Sequence, residues 1–166
     1  AAIADKFPAF RTGDILISIK NMNMLAVIDH ETKKVIWTRR GNWSAQHQAR
    51  FTPDGHIILF DNYGQKDHNG NARSRVIMID PQDNTSQWVY NGPKKTPFFS
   101  GVKSGAEMLP NGNILVVETT AGNIYEITPD KDIVWHYHSR SKLHNAQRFI
   151  SKDLTESFCN RIDCEF

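Results

Sequence analysis

The sequence predicts an all-β protein, and three observations lead there. Short runs of Val, Ile, Leu, Phe and Tyr are bounded by Gly, Pro, Asn and Asp along most of the 166 residues. Helical periodicity is weak throughout. One pattern also recurs three times: a Gly, a polar residue and an apolar strand, then a second strand ending in Asp or Thr, then a Trp. The copies run from Gly13 to Trp37, Gly55 to Trp88 and Gly112 to Trp135. Gly13 to Asp29 and Gly112 to Thr128 are both offsets of 16 residues, and the steps from Asp29, Asp80 and Thr128 to the next Trp are 8, 8 and 7.

Taken in order, Ala1 to Arg11 reads as a loop, so the first copy lacks an innermost strand. In the second and third copies a further strand comes first, Gln46 to Phe51 and Gly105 to Leu109. Pro53-Asp54-Gly55 and Pro110-Asn111-Gly112 are hairpin turns in which Gly supplies a positive φ. Turns are also expected at Asp29-His30-Glu31-Thr32, Pro81-Gln82-Asp83-Asn84 and Thr128-Pro129-Asp130. Each complete copy thus holds four antiparallel strands in about 45 residues, the period of a β-propeller blade. The expected division is a partial propeller over 1–158, with blades at about 13–43, 44–92 and 104–138. A further blade starts at 144–151, where HNAQRFIS echoes QHQARFTP, and 159–166 is a tail. About three blades are present, fewer than the roughly four to eight that close a propeller, so the chain is expected either to belong to a longer one, the favoured reading, or to associate to cover its open edges. Two stretches depart from the repeat. Tyr63 to Arg75 is polar and expected as a surface loop, and Asn91 to Ser104 carries Phe98-Phe99, suited to an inter-blade seam or an entrance.

Charged residues make up 23% and apolar residues 39%, with a net charge of +2, as in a soluble globular protein. Without a Lys/Arg cluster the chain has no electrostatic footprint for nucleic acid, and Arg39-Arg40 and Lys94-Lys95 read as solvated pairs. No apolar run approaches the about 20 residues of a membrane helix. Cys159 and Cys164 are two free thiols or a local disulfide, and without nearby His they lack the ligands of a zinc site.

Among the histidines, His30, His56 and His68 fall in turns or insertions, and His136 and His138 on an outer strand. His47 differs. It lies between Gln46 and Gln48 at the start of an inner strand, where a propeller keeps its channel. A neutral imidazole there can act as a base, a nucleophile or a metal ligand, and with no partner at ligand spacing metal binding is the weakest of these. Polar strand ends recur at equivalent positions: Lys20-Asn21, Asp61-Asn62 and Glu118-Thr119-Thr120. If they gather at one level, they make a ring of donors suited to an anion.

Trp43 to Asn62, together with Gly13 to Asp29 and Gly112 to Gly122, resembles the arylsulfotransferase family of six-bladed propellers. The likeness spans roughly Gly13 to Tyr137. It implies a transferase in which His47 takes a sulfuryl group from an aryl sulfate and passes it to a phenol. The strand-end arginine that binds sulfate in the family is matched by Lys20, which keeps the charge but not the planar two-point grip. Asn21, Gln46, Asp61, Asn62 and Thr119 complete the implied substrate-binding set. No cofactor and no metal are implied, and no Gly-rich phosphate loop is present for a nucleotide. The implied partners are the aryl sulfate and the phenolic acceptor, with no nucleic acid and no membrane span. The implied setting is extracytoplasmic, periplasmic or secreted. The family's upstream His-x-Asn element has no counterpart between Ala1 and Thr12. Two other readings stand beside this one. A non-catalytic propeller would bind a ligand or protein through the same mouth. A quinone-cofactor dehydrogenase-like propeller would need channel carboxylates, for which only Asp61 and Glu118 are suitably placed.

Overall fold

The repeated turns explain why the chain folds back where it does. At Pro53-Asp54-Gly55 the Gly55 φ is +86°, and its N–H closes on the Thr52 carbonyl at 3.0 Å. Gly112 repeats the arrangement with φ +83° and a 2.9 Å bond to the Leu109 carbonyl. The Asp/Asp/Thr positions are turn caps. Asp29 Oδ1 accepts the N–H groups of Glu31 and Thr32, Asp80 Oδ1 accepts that of Gln82, and Thr128 Oγ1 accepts that of Asp132.

A computed structural model describes residues 10–149, apart from Asn84, Lys94 and Lys95. These residues form three antiparallel sheets. The first contains β1 (Ile15–Ile19), β2 (Met24–Ile28) and β3 (Val35–Arg40). The second contains β4 (His47–Phe51), β5 (Ile57–Lys66), β6 (Ala72–Ile79) and β7 (Ser86–Tyr90). The third contains β8 (Gly105–Met108), β9 (Ile114–Glu118), β10 (Asn123–Ile127) and β11 (Ile133–His138). In each sheet neighbours in sequence are neighbours in space, as in propeller blades. β1, β5 and β9 are equivalent strands, and among the described residues the first sheet has nothing inside β1. β4 stands beside β1, and β8 stands beside β4 and β5.

The middle sheet is covered on both faces, which is why its second strand is a continuous apolar run. Ile57 and Leu59 of β5 pack toward the first sheet with Leu25, Trp43, Ile77 and Ile79. Ile58 and Phe60 pack toward the third with Val76, Tyr90, Phe98, Val116 and Tyr125. Each such fully buried side chain contributes about 1.5–3 kcal/mol. The closing Trp residues share a register: Trp37 faces Val27, Trp88 faces Met78 and Trp135 faces Glu126. A one-residue bulge immediately precedes each Trp, at Ile36, Gln87 and Val134, which accords with the near-constant spacing to each Trp.

Two expectations change. Tyr63 to Arg75 is mostly hairpin rather than surface loop, because β5 and β6 extend through it. Its tip is held by Asp67, which accepts the N–H groups of Asn69 and Asn71 and pairs with Arg73 at 2.6 Å. Among the described residues of 144–151, positions 144–149 form no strand; they lie against the third sheet, with Arg148 paired to Glu126 and over the Trp135 ring. They run beside β8 and β9 without a hydrogen-bonded partner strand of their own. The 159–166 tail, with Cys159 and Cys164, lies outside the described residues, as do Lys94-Lys95. Phe98 is buried in the seam between the second and third sheets, and Phe99 meets Tyr63 edge-on at 5.4 Å. Among the described residues no helix is long and apolar enough to cross a membrane.

Candidate functional site

The ends of β1, β5 and β9 lie beside the starts of β4 and β8. Asn23, just past β1 and left-handed at φ +49°, accepts the Ala45 N–H on its Oδ1 at 2.9 Å. Asn62 on β5 donates its Nδ2 to the carbonyls of Ser100 (2.6 Å) and Lys103 (3.0 Å), on the chain leading into β8.

His47 opens β4, and a bulge decides which way it faces. Arg50 pairs with Ile58, yet His47 pairs with Phe60, so Gln48 and Ala49 together oppose one residue. Gln48 takes the left-handed φ of +49° that this requires. Without the extra residue, strand alternation would turn His47 toward the first sheet. With it, His47 shares the face of Phe60 and Asn62. Gln48 itself lies across the start of β8, where a Cβ on Gly105 would come within 1.7 Å of its Oε1. A larger residue at that position would displace the Gln48 amide.

His47 is half-buried, and its Nδ1 is 2.8 Å from Asn62 Oδ1. The Asn62 amide has one workable orientation. Its NH2 group serves two backbone carbonyls, and turning it over would set its oxygen against both. The oxygen therefore faces His47 and accepts a proton from Nδ1. Nε2 is then the unprotonated nitrogen, with its lone pair directed away from Asn62. Asn62 is wholly buried, and Ser74 Oγ donates to its carbonyl at 2.8 Å. Ser100 N–H in turn donates to Ser74 Oγ at 2.9 Å. The histidine thus rests on a chain of polar contacts that joins two sheets.

The other expected residues divide. Lys20 and Asn21 sit exposed on a 3-10 turn (Lys20–Met22) at this same end. Thr119, the repeat counterpart of Asn62, is buried; its N–H donates to Ser104 Oγ, and its hydroxyl has no partner among the described residues. Gln46 and Asp61, expected to touch substrate, are wholly buried and otherwise employed. Gln46 Nε2 donates to Ser18 Oγ and the Met24 carbonyl, both at 3.1 Å, tying the second sheet to the first. Asp61 accepts the Ser44 N–H and Arg75 Nε, each at 2.8 Å, and Arg75 also reaches the Asn42 carbonyl. Its carboxylate lies over Gly64, where a Cβ would fall 1.6 Å from Oδ2. Burial raises the Asp61 pKa, against the lowering effect of Ser44 and Arg75.

Glu118 repeats the Asp61 position one sheet along. It accepts the Phe99 N–H at 2.9 Å and Asn123 Nδ2 at 2.8 Å, and Tyr125 OH lies 3.3 Å away. Burial raises its pKa despite these donors, and burial together with the Glu118 charge pushes Tyr90 up to about 12. Because the folded protein holds the Glu118 proton more tightly than the unfolded chain, this group's contribution is fully present below the unfolded carboxylate's range. It is lost as pH rises through the raised folded value. Urea unfolding of wild type against Glu118→Gln, from pH 4 to 7, should show wild type losing ground as pH rises; a pH-independent difference would remove this assignment.

Ser74, Ser100, Lys103 and Asn23 were not foreseen. Serines and a lysine in a connection carry no pattern, although the departure of Asn91–Ser104 from the repeat marked that stretch. Among the described residues no cluster of three or more His, Cys, Asp or Glu could hold a metal.

The family model for arylsulfotransferase (ASST) matches residues 3–140. The chain belongs to the arylsulfotransferase family. The match takes in all three sheets, the His47–Asn62 pair and the Lys20 turn. No curated protein matches this arylsulfotransferase-family chain. Among solved structures it is similar to BamB from Moraxella catarrhalis, with 11% identity, a TM-score of 0.48, and coverage of 78% of this chain and 34% of that one. It is also similar to a protein of unknown function from Bacteroides caccae, with 15% identity, a TM-score of 0.41, and coverage of 76% and 58%. The chain therefore spans about a third and somewhat over half of those two proteins.

Proposed function

We propose that this arylsulfotransferase-family chain carries the nucleophile of a sulfuryl transfer from an aryl sulfate to a phenol, and that the nucleophile is His47. The observation behind this is the Nδ1–Asn62 Oδ1 hydrogen bond, which leaves Nε2 with its lone pair. In the first displacement Nε2 forms a bond to sulfur as the bond from sulfur to the aryl oxygen breaks, and the phenolate leaves. The ring then carries a positive charge, which the Asn62 oxygen stabilises through the Nδ1 proton. An amide suits this role because, unlike a carboxylate, it places no full negative charge near the sulfuryl oxygens. In the second displacement the acceptor oxygen attacks sulfur and loses its proton, the N–S bond breaks, and His47 returns neutral. Kinetics are ping-pong. Lys20 would supply a cation toward the sulfuryl oxygens, and Thr119 a hydroxyl.

The blade divisions at 13–43, 44–92 and 104–138, the start of another at 144–151, membership of a longer six-bladed ring and an extracytoplasmic setting belong to the same proposal. The test is peptide mass spectrometry after brief exposure to an aryl sulfate without acceptor. One sulfuryl group on the peptide holding His47 is expected. No label in a folded protein that also releases no phenol would favour a binding propeller, a reading consistent with Lys20 standing where the family has arginine.

Asn62 is a positioning residue in this scheme. Asn62→Ala strands two buried carbonyls and frees the ring to take the other tautomer. The expected cost is about 1–3 kcal/mol of stability and a fall in kcat of about tenfold to a hundredfold, by analogy with other residues that orient a working histidine. Unchanged kcat with lowered stability would limit Asn62 to a structural role.

A further inference from the structure

The outermost strand of the third sheet carries a His-x-His pair, His136 and His138, that the transfer scheme does not use. Alternate residues of a strand share a face, so both rings stand on one side of β11. Trp135 and Tyr137 take the other side and stack on each other at 6.3 Å. Register brings two partners on β10 to the histidines. His138 lies opposite Asn123, and His136 lies opposite Tyr125. The His136 ring stacks on Tyr125, with centroids 4.8 Å apart and planes within 14°, which restricts its rotation.

Both rings turn a nitrogen to the same atom. His136 Nε2 is 3.1 Å and His138 Nδ1 is 3.0 Å from Asn123 Oδ1. The amide is held from behind. Asn123 Nδ2 donates to Glu118 Oε2 at 2.8 Å, and Glu118 is buried on β9 directly opposite Asn123. Turning the amide over would set its oxygen against that carboxylate, so Oδ1 stays toward the histidines.

Two imidazole nitrogens and one amide oxygen therefore converge. Around a zinc ion with bonds of about 2.0–2.1 Å, adjacent ligand atoms of a tetrahedron stand about 3.3 Å apart. Each nitrogen need draw back from the oxygen by only a few tenths of an ångström. A neutral ring frees the lone pair by carrying its proton on the other nitrogen. Imidazole suits zinc, copper and nickel, and a hydrogen-bonded group behind a ligand keeps it aimed. The third donor is an amide, so the set holds only two of the usual His, Cys, Asp and Glu ligands. Both histidines are exposed, which leaves a coordination position open to water.

We propose that His136, His138 and Asn123 bind a divalent late transition-metal ion, which clamps the exposed edge strand β11 to β10. The site stands whether or not His47 takes a sulfuryl group. The test titrates Zn2+ into the chain carrying Cys159→Ser and Cys164→Ser, so that neither thiol competes, and follows the ring resonances of its seven histidines by NMR. Saturation at one equivalent and micromolar Zn2+, with His136 and His138 moving most, is expected. His136→Phe keeps a ring on Tyr125 and removes the ligand; it and His138→Ala should each weaken binding at least about tenfold. Mg2+, which prefers oxygen, should move neither ring. Zn2+ should also raise the urea midpoint of this chain and leave that of His136→Phe unchanged. No saturable binding, binding that leaves the two rings unmoved, or binding that both variants retain overturns the proposal. Equal midpoints with and without saturating Zn2+ overturn the clamp.

Discussion

His47→Asn should abolish sulfuryl transfer and leave the fold intact. Removing a covalent nucleophile lowers kcat by about four orders of magnitude or more, because no other group in this scheme forms the bond to sulfur. Asparagine is a suitable replacement. Its amide can still donate to Asn62 Oδ1, so the buried Asn62 keeps all its partners. The half-buried position then loses little packing, and a stability change within about 1 kcal/mol is expected. Phenol release, the mass of the His47 peptide and the urea midpoint should be read on one preparation. Loss of release and label at an unchanged midpoint is the expected result. Retained transfer in a folded variant would take His47 out of the mechanism.

Arg75→Met should be the most destabilising single change at this end of the protein. Asp61 has no exposed surface, and its charge is balanced by Arg75 Nε at 2.8 Å. Removing the guanidinium leaves a buried carboxylate held only by backbone N–H donors, which costs about 3–5 kcal/mol. It also removes the exposed contact that Arg75 makes with the Asn42 carbonyl. Asp61→Asn in the Arg75→Met background should restore much of the loss, since a neutral amide can still accept from Ser44. The pH response distinguishes this from simple loss of packing. Burial already raises the Asp61 pKa, and without Arg75 it rises further. The variant should therefore regain stability as pH falls through that raised value, because the folded state then takes up the proton first. An urea midpoint deficit that is the same at pH 4 and pH 7, and that Asp61→Asn does not relieve, would contradict the buried-charge account.

Repetition made most of the architecture legible. Three copies of Gly, strand, Asp or Thr, and Trp located the hairpin turns, the paired strands and the closing tryptophans, because each is a local demand of turn geometry or strand alternation. His47 stood out from the other histidines for the same reason: it sits where an inner strand begins. His30 and His56 proved to be turn partners of Asp14 and Asp54, as their positions suggested. The Tyr63 to Arg75 stretch misled because its Gly and Asn content suits a loop, whereas Asp67 and Arg73 hold it as a long hairpin.

The substrate-binding set was harder to read, because exposure is not written in a residue's type. Gln46, Asp61, Asn62 and Thr119 look alike as polar residues at strand ends. Packing of one sheet on the next buried all four and gave them different tasks: Gln46 a staple, Asp61 half of an ion pair, Asn62 the partner of His47.

By itself, the sequence determined the all-β class, the three-fold repeat and the turns, since these follow from local pattern, and its likeness to the family singled out His47 as the candidate. The tertiary structure alone decided what His47 faces. One bulge residue, Gln48, reverses the alternation of β4 and brings the ring to Asn62. Ser100 and Lys103, about forty residues further along the chain, then orient the Asn62 amide. Such long-range hydrogen bonds form only once separate sheets have packed together, so no local pattern in the chain records them.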